Sequence, residues 1–431
     1  MVNLKNKEMF EKNYFILLYF SLLVLSIINL LDLQYDYTIF LIFFLTVIFL
    51  SLKFHKNYLL ILFGILIMLE IGGFNRFLIS NYGIKYFSFA IQILILAVII
   101  YRQKEIYISK KTISLIIAFN VFIFVYLIFG SLNSNTYSLM NFIRVFISNS
   151  IILYITIVIL VLNSNKNIGL FLQIITLFIS SLVIFDWINL SRQYNLDEYF
   201  VRGSGLFGNA NIAGATILIF SLFIFYRFLS HFLLSDALII LYSFFSLILT
   251  QSRSSLIIFI LLIIAMTAFF EKYSLKKSFK ILIFISLVLG IFFIVTNLYP
   301  SFLIKLNVSS ENFDSSRIEA LNVGLSTIDD SLFGKGIGQS AETTLNLSSH
   351  NFYVHALSET GVFIIPFAIL FLFIVFYSIN KAGKTNNIPN YYLLLLLLIS
   401  IFTHSILANS IYYFLLGIIF VYARKDMKFN D

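Results

Sequence analysis

The chain has no cysteine among its 431 residues. That excludes a disulfide framework, thiolate catalysis, iron–sulfur clusters and cysteine-ligated zinc. Proline (three) and tryptophan (one) are scarce, and only 11% of residues are charged. So little charge leaves too little polar surface to coat a water-soluble particle of this size, which rules out a soluble globule. What the sequence does contain is apolar. Sixty per cent of residues are hydrophobic, with 51 Phe and 25 Tyr, and the mean hydropathy is +0.97. This is the composition of a polytopic membrane protein.

A hydrocarbon core of about 30 Å needs roughly 20 apolar residues per helix. Uncharged apolar runs occur near 14–31, 37–52, 57–74, 84–101, 112–131, 145–162 and 168–187. Further runs occur near 211–228, 233–250, 254–270, 281–298, 360–379, 391–407 and 409–423. The last two are joined by almost no turn, so they form either two spans or a re-entrant hairpin. The expectation is therefore an all-α polytopic membrane protein of about 12 to 14 transmembrane helices with a large outer loop. Lys5, Lys7 and Lys12 precede the first run, while Asp32 and Asp36 follow it. That pattern predicts a cytoplasmic N-terminus and an uncleaved first helix rather than a signal peptide.

The net charge of +9 comes from 29 Lys and Arg against 20 Asp and Glu. With the N-terminus inside, 20 of the 29 basic residues fall in cytoplasmic loops and the tail, from Lys53 and Lys56 to Arg424, Lys425 and Lys428. This is the positive-inside pattern, so most of the basic charge sets orientation and no nucleic-acid partner is implied. Nine basic residues sit outside: Arg76, Lys85, Arg144, Arg192, Arg202, Arg253, Lys305, Arg317 and Lys335. Six of the nine Arg are outside, against three of the twenty Lys. Guanidinium is a planar fork suited to phosphate and carboxylate, whereas ammonium serves well as bulk charge. The segregation points to an outer face that handles an anion. Arg76, Arg144 and Arg192 also fit simple snorkelling to lipid phosphates.

Two outer loops are long, 188–210 and 299–352. Long loops are where function concentrates. Within the second, Ile318, Leu321, Leu325 and Ile328 recur at helical spacing and predict an amphipathic helix over 317–328. In the first, Arg202 opens RGSGLFGNANIAG, residues 202–214, where four Gly punctuate a loop that enters a helix expected to begin near Asn209 or Asn211. Backbone amides there could converge with Arg202 on one oxyanion, or the segment is a helix-capping loop. Arg253, in LTQSRSSL, lies between two apolar runs with Gln251 and Ser252 before it. A cation at mid-membrane costs roughly 2.5 to 3.5 kcal/mol, so such an Arg faces a polar cavity, and its Ser and Gln neighbours would complete the wall.

His350, in SSHNFYVHALSETG, ends the long loop where the chain re-enters the membrane. A group titrating near neutrality beside a cationic cavity suits a general base. His355 and Glu359 are four apart on a predicted helix and could pair on one face. Glu359 then either contacts substrate or orients the local fold. FGKGIGQS, 333–340, lacks P-loop spacing and lies outside, where ATP is not expected. No HExxH, no DxD pair and no acidic or His cluster suggests a metal, so Arg is expected to neutralise phosphate, without a cofactor.

The ordered set RGSGLFGNANIAG, TQSRSSL, SSRIEALNVGL with LFGKGIG, and SHNFYVHALSETG resembles the O-antigen ligase and polymerase superfamily, that is, Wzy-type polysaccharide polymerases and WaaL-type ligases. The likeness covers roughly residues 200–370. It implies a metal-independent membrane glycosyltransferase with a GT-C-like helical bundle and an outward-facing site. Its substrates would be undecaprenyl-pyrophosphate-linked glycans, in contact with membrane lipids and with a chain-length regulator and flippase of the same pathway. On this resemblance Arg202 and Arg253 grip the pyrophosphate, His350 is the general base, and Arg317 is a further basic position. Asn209, Asn211, Gln251, Ser252 and Glu359 are the accompanying substrate-binding candidates.

The resulting division of the chain is 1–187, N-terminal transmembrane helices; 188–379, the ligase/polymerase-like region; and 380–431, C-terminal helices and a cytoplasmic tail. The expected location is the bacterial cytoplasmic membrane, with both termini inside and the site on the outer face. The Phe, Ile, Asn and Lys richness favours a polymerase over a ligase that delivers glycan to lipid A core. A lipid-linked oligosaccharide flippase would also have 12 to 14 spans, but short loops and midplane charges suit it better than this 54-residue outer loop.

Overall fold

In a lipid interior the backbone has no polar partner but itself, so uncharged apolar runs are forced into helices. In the computed structural model every regular element among the described residues is helical. The structure describes residues 63, 64, 66, 67, 87–101, 108–163, 165–193, 201–207, 209–269, 275–298, 322, 325, 326, 332–338, 351–381, 388–402, 407 and 409–423. The expected spans 14–31 and 37–52 lie outside them, as does most of 57–74, of which Phe63, Gly64, Leu66 and Ile67 are helical.

Twelve α-helices can be given bounds among the described residues. The first eight are α1 (Phe87–Tyr101), α2 (Lys110–Ser131), α3 (Thr136–Leu162), α4 (Asn165–Gln193), α5 (Ala210–His231), α6 (Leu234–Thr250), α7 (Arg253–Phe269) and α8 (Leu275–Leu298). The last four are α9 (Phe352–Thr360), α10 (Ile364–Lys381), α11 (Ile388–Phe402) and α12 (Ser410–Tyr422). A single 3-10 turn, Gly205–Phe207, lies between α4 and α5. Four of the helices, α2 to α5, are long and apolar enough to cross a membrane, and seven shorter apolar helices accompany them. The all-helical, multi-span character expected from composition is thus present.

Polar residues at the run boundaries set the helix starts. Ser109, Asn209, Asn351 and Asn409 each stand as N-cap, their side-chain oxygens accepting first-turn amides of α2, α5, α9 and α12. Two ends use left-handed residues that are not glycine, Phe232 after α5 (φ 52°) and Gln251 after α6 (φ 51°). Such a conformation is uncommon for residues with a side chain. At Gln251 the side-chain amide compensates by donating to the Val201 carbonyl at 2.8 Å.

The described residues group into two compact units. One draws on Met1–Tyr101 and Asn163–Asn307, the other on Arg102–Leu162 and Val308–Asp431. In the first, α5 is buried over most of its length, with α4, α6 and α7 packed around it. In the second, α12 buries all thirteen of its residues against α3, α11 and α2. Apolar character on every face marks it as a core helix. Each unit interleaves stretches from distant parts of the chain, so neither coincides with a segment of the division along the sequence.

One expected span differs. The run at 360–379 is entered by α9, which ends at Thr360, and resumes as α10 from Ile364. Gly361 separates them with φ +72°, and a Cβ there would collide with the Leu332 carbonyl. The break is made by a segment that arrives from elsewhere in the chain.

Candidate functional site

In the first unit the outer-loop motif and the Arg253 motif form one cluster. The Arg202 guanidinium donates from Nε to the Thr250 carbonyl at 3.1 Å and from Nη2 to Asn211 Oδ1 at 3.0 Å. Gly203 N–H donates to the Leu249 carbonyl at 3.0 Å. Segment 201–205 is therefore laced to the C-terminal end of α6, and Arg253 follows as the first residue of α7, partly buried. Ser252 is buried, and its hydroxyl lies 2.9 Å from Ser255 Oγ and 3.3 Å from Ser254 Oγ. Arg202, Asn211, Gln251, Ser252 and Arg253 are thus brought together at one end of this unit. Asn209 instead caps α5, with Oδ1 accepting from Asn211 N–H at 2.9 Å and Ile212 N–H at 3.4 Å.

Asp186 belongs to the same cluster and was missed by motif reading. It is buried in the C-terminal half of α4 and accepts from Ser204 N–H (2.7 Å), Ser204 Oγ (3.2 Å) and Gly205 N–H (2.9 Å). The amides of the Gly-rich turn therefore already hold a carboxylate, and those of the α5 N-terminus hold Asn209. The sequence signal for Asp186 was an acid standing alone in an apolar run, the sole one in α4.

The opposite end of this unit carries a second polar cluster. Buried Asp236 receives Arg227 Nε at 2.8 Å and Nη2 at 2.5 Å, and Gln173 Nε2 at 2.6 Å. A buried acid so fully paired ties α4, α5 and α6 together and is structural. Arg227 and Arg202 thus occupy opposite ends of the helical unit.

In the second unit Glu359 is the hub. It is buried near the end of α9 and accepts from the Tyr126 hydroxyl and from Gly338 N–H at 2.8 Å. His355 Nε2 stands 3.4 Å from Glu359 Oε1, forming the expected i,i+4 pair. The Gly-rich segment 332–338 lies across this point. Lys335 N–H donates to the Ser358 carbonyl, Gly336 N–H to that of Glu359 and Ile337 N–H to that of Gly130. FGKGIG is accordingly a strap docked on α2 and α9. Asn351 caps α9 through Tyr353 and Val354 N–H.

His350 and Arg317 lie outside the described residues, as does most of the outer loop 299–352. Of the amphipathic helix expected over 317–328, the described residues Asn322, Leu325 and Ser326 are helical.

Among the described residues every regular element is helical and several apolar helices are of membrane length, which is the character of a polytopic membrane protein. Residues 238–367 match the Wzy_C family model, described as O-antigen ligase. This match supports placement in the O-antigen polymerase/ligase superfamily and, at the family level, a function of the O-antigen ligase or polymerase type. The matched segment contains Gln251, Ser252, Arg253 and Glu359, while Arg202, Asn209 and Asn211 precede it. No curated protein and no solved structure matches the chain.

The two hydrogen bonds that fix Arg202 use separate nitrogens of one planar group. Lys offers a point charge without that fork. Arg202→Lys is therefore expected to lose about tenfold or more in glycan transfer while remaining folded. Measured glycan output at matched membrane protein level checks this, and wild-type output would reduce Arg202 to a generic charge.

Proposed function

We propose that this protein polymerises undecaprenyl-pyrophosphate-linked oligosaccharide repeat units into O-antigen or capsular polysaccharide at the outer face of the bacterial cytoplasmic membrane. The observation that carries this reading is the Arg253 turn, which lies within the segment that matches the family and is braced by Arg202. Arg202 bonds to the Thr250 carbonyl three residues before Arg253, and two arginines so placed in the chain suit a diphosphate. Arg202 and Arg253 grip the pyrophosphate of the donor, and their charge offsets the negative charge that grows on it as it leaves.

The acceptor sugar hydroxyl attacks the donor anomeric carbon. The new C–O bond forms as the bond to the pyrophosphate oxygen breaks, with the electron pair leaving on that oxygen, and His350 takes the hydroxyl proton. A single displacement inverts the anomeric carbon. Gln251, Ser252, Asn209 and Asn211 supply hydrogen-bonding wall. Glu359, engaged by Tyr126, Gly338 and His355, holds the strap and α9 in register. Arg317 adds positive charge from the long outer loop. Neither a metal nor a nucleotide sugar enters the reaction. A chain-length regulator and a flippase of the same pathway are the expected partners, and both termini are cytoplasmic.

Deleting the gene and analysing the surface glycan tests the reading. The expected result is single repeat units on the carrier or on core, with long polymer returning when the gene is restored. Long lipid-linked chains left unattached would instead identify a ligase, and single units trapped on the inner leaflet a flippase.

A further inference from the structure

We infer that Asp186 is a positioning residue for Arg202, acting through the Gly-rich turn. The inference rests on the reading of Arg202 as a pyrophosphate ligand. Asp186 is the sole acid on its helix, and it is 8% exposed. A buried carboxylate is costly unless fully hydrogen-bonded. Here three donors meet it, all from Ser204 and Gly205.

Those donors are the successive amides and hydroxyl that a glycine-rich turn ordinarily turns toward a bound anion. Asp186 fills that place with a group from the protein itself. The turn is thereby locked onto α4, and its freedom to move is small. Gly203 lies so close to α4 that a Cβ there would come within 2.7 Å of the Val183 carbonyl oxygen and 3.1 Å of Trp187 Cβ. Gly203 N–H is in turn fixed to the Leu249 carbonyl.

Arg202 therefore leaves the turn from a backbone held on both sides, by Asp186 on α4 and by the end of α6. Its guanidinium then reaches Thr250 O and Asn211 Oδ1. Without the carboxylate the turn loses three of its ties and gains two unsatisfied amides. The guanidinium is the group at the end of that lever. A misplacement of about 1 Å at a reacting centre can cost on the order of a hundredfold in rate. All three donors meet one carboxylate oxygen, Oδ2, so that oxygen serves to hold the turn.

A double-mutant cycle separates positioning from a general structural role. Asp186→Asn, Arg202→Ala and the double variant are each restored to a deletion strain. Polymer formation from that strain's own lipid-linked repeat units is then measured in membranes at matched protein level. Asp186→Glu, which keeps a buried charge but moves it by one methylene, is run in parallel in case the Asn variant fails to fold. Arg202→Ala is expected to lose about a hundredfold, the scale of one removed transition-state donor. Asp186→Glu should lose about tenfold or more with the protein still present in membranes, and Asp186→Asn, whose amide oxygen can still accept at the Oδ2 position, should lose less. Neither should lower the rate further once Arg202 is Ala. Losses that multiply would overturn the inference while leaving the pyrophosphate reading intact. Wild-type activity of Arg202→Ala alone would instead overturn that reading and the inference with it.

Discussion

Arg253→Ala abolishes polymer formation while the folded protein remains in the membrane. The expectation follows from where the residue stands. Thr250 ends α6, Gln251 turns the chain in the left-handed region, Ser252 is buried, and Arg253 opens α7. The turn is held by groups other than the guanidinium. Gln251 N–H donates to the Ile248 carbonyl, the Gln251 side chain to Val201, and Leu256 N–H to the Ser252 carbonyl. Truncating Arg253 therefore removes charge and donors while leaving those ties in place. Loss of one donor aimed at charge that develops in the transition state costs about a hundred- to a thousandfold in rate. In a complementation gel that appears as absence of long chains, with an immunoblot showing undiminished protein. Normal polymer would remove Arg253 from the site.

His350→Ala is expected to be as severe for a different reason. His350 directly precedes Asn351, whose side chain caps α9 by accepting from Tyr353 and Val354 N–H. The helix is thus anchored by Asn351, by the Glu359 hub and by the strap. What the substitution removes is the proton acceptor, a loss of about a hundred- to ten-thousandfold. Activity retained in His350→Ala at matched protein level would contradict the assignment. His355, five residues on, is distinguished by its pairing with Glu359. That pairing ties His355 to the Glu359 hub of α9, whereas the proton-accepting role is the one proposed above for His350.

Much of this architecture could be read before any coordinates, because in lipid one rule, continuous apolar length, dictates helix placement. The apolar run at 211–228 became α5 (Ala210–His231) and the run at 233–250 became α6 (Leu234–Thr250), with Asn209 capping the former as its position implied. The proximity of Arg202, Asn211, Gln251 and Arg253 was legible as a set of motifs, though not as bonds. Their contacts span from nine to about fifty residues, and spacing alone says nothing of them.

What escaped was polar pairing across long separations. Asp186 reaches Ser204 across eighteen residues, and Tyr126 reaches Glu359 across 233. Each is one polar group in an apolar helix, with no periodicity to announce a partner. The break at Gly361 was equally hidden, because its cause is the Leu332 carbonyl rather than any neighbour in sequence. The docking of the Gly-rich segment at 333–338 on Gly130 and Glu359 is likewise a tertiary fact. Backbone amides that the sequence offered to an oxyanion in 202–214 turned out to be held by Asp186 and Asn209.

The most direct measurement is reconstitution. Purified protein in liposomes is given undecaprenyl-pyrophosphate-linked repeat units as sole substrate, in the presence of a metal chelator and without nucleotide sugar, and the products are resolved by size. The account predicts a ladder of increasing repeat number with release of undecaprenyl pyrophosphate, and no ladder from Arg253→Ala. Repeat units that remain single in liposomes containing the folded wild-type protein would contradict it.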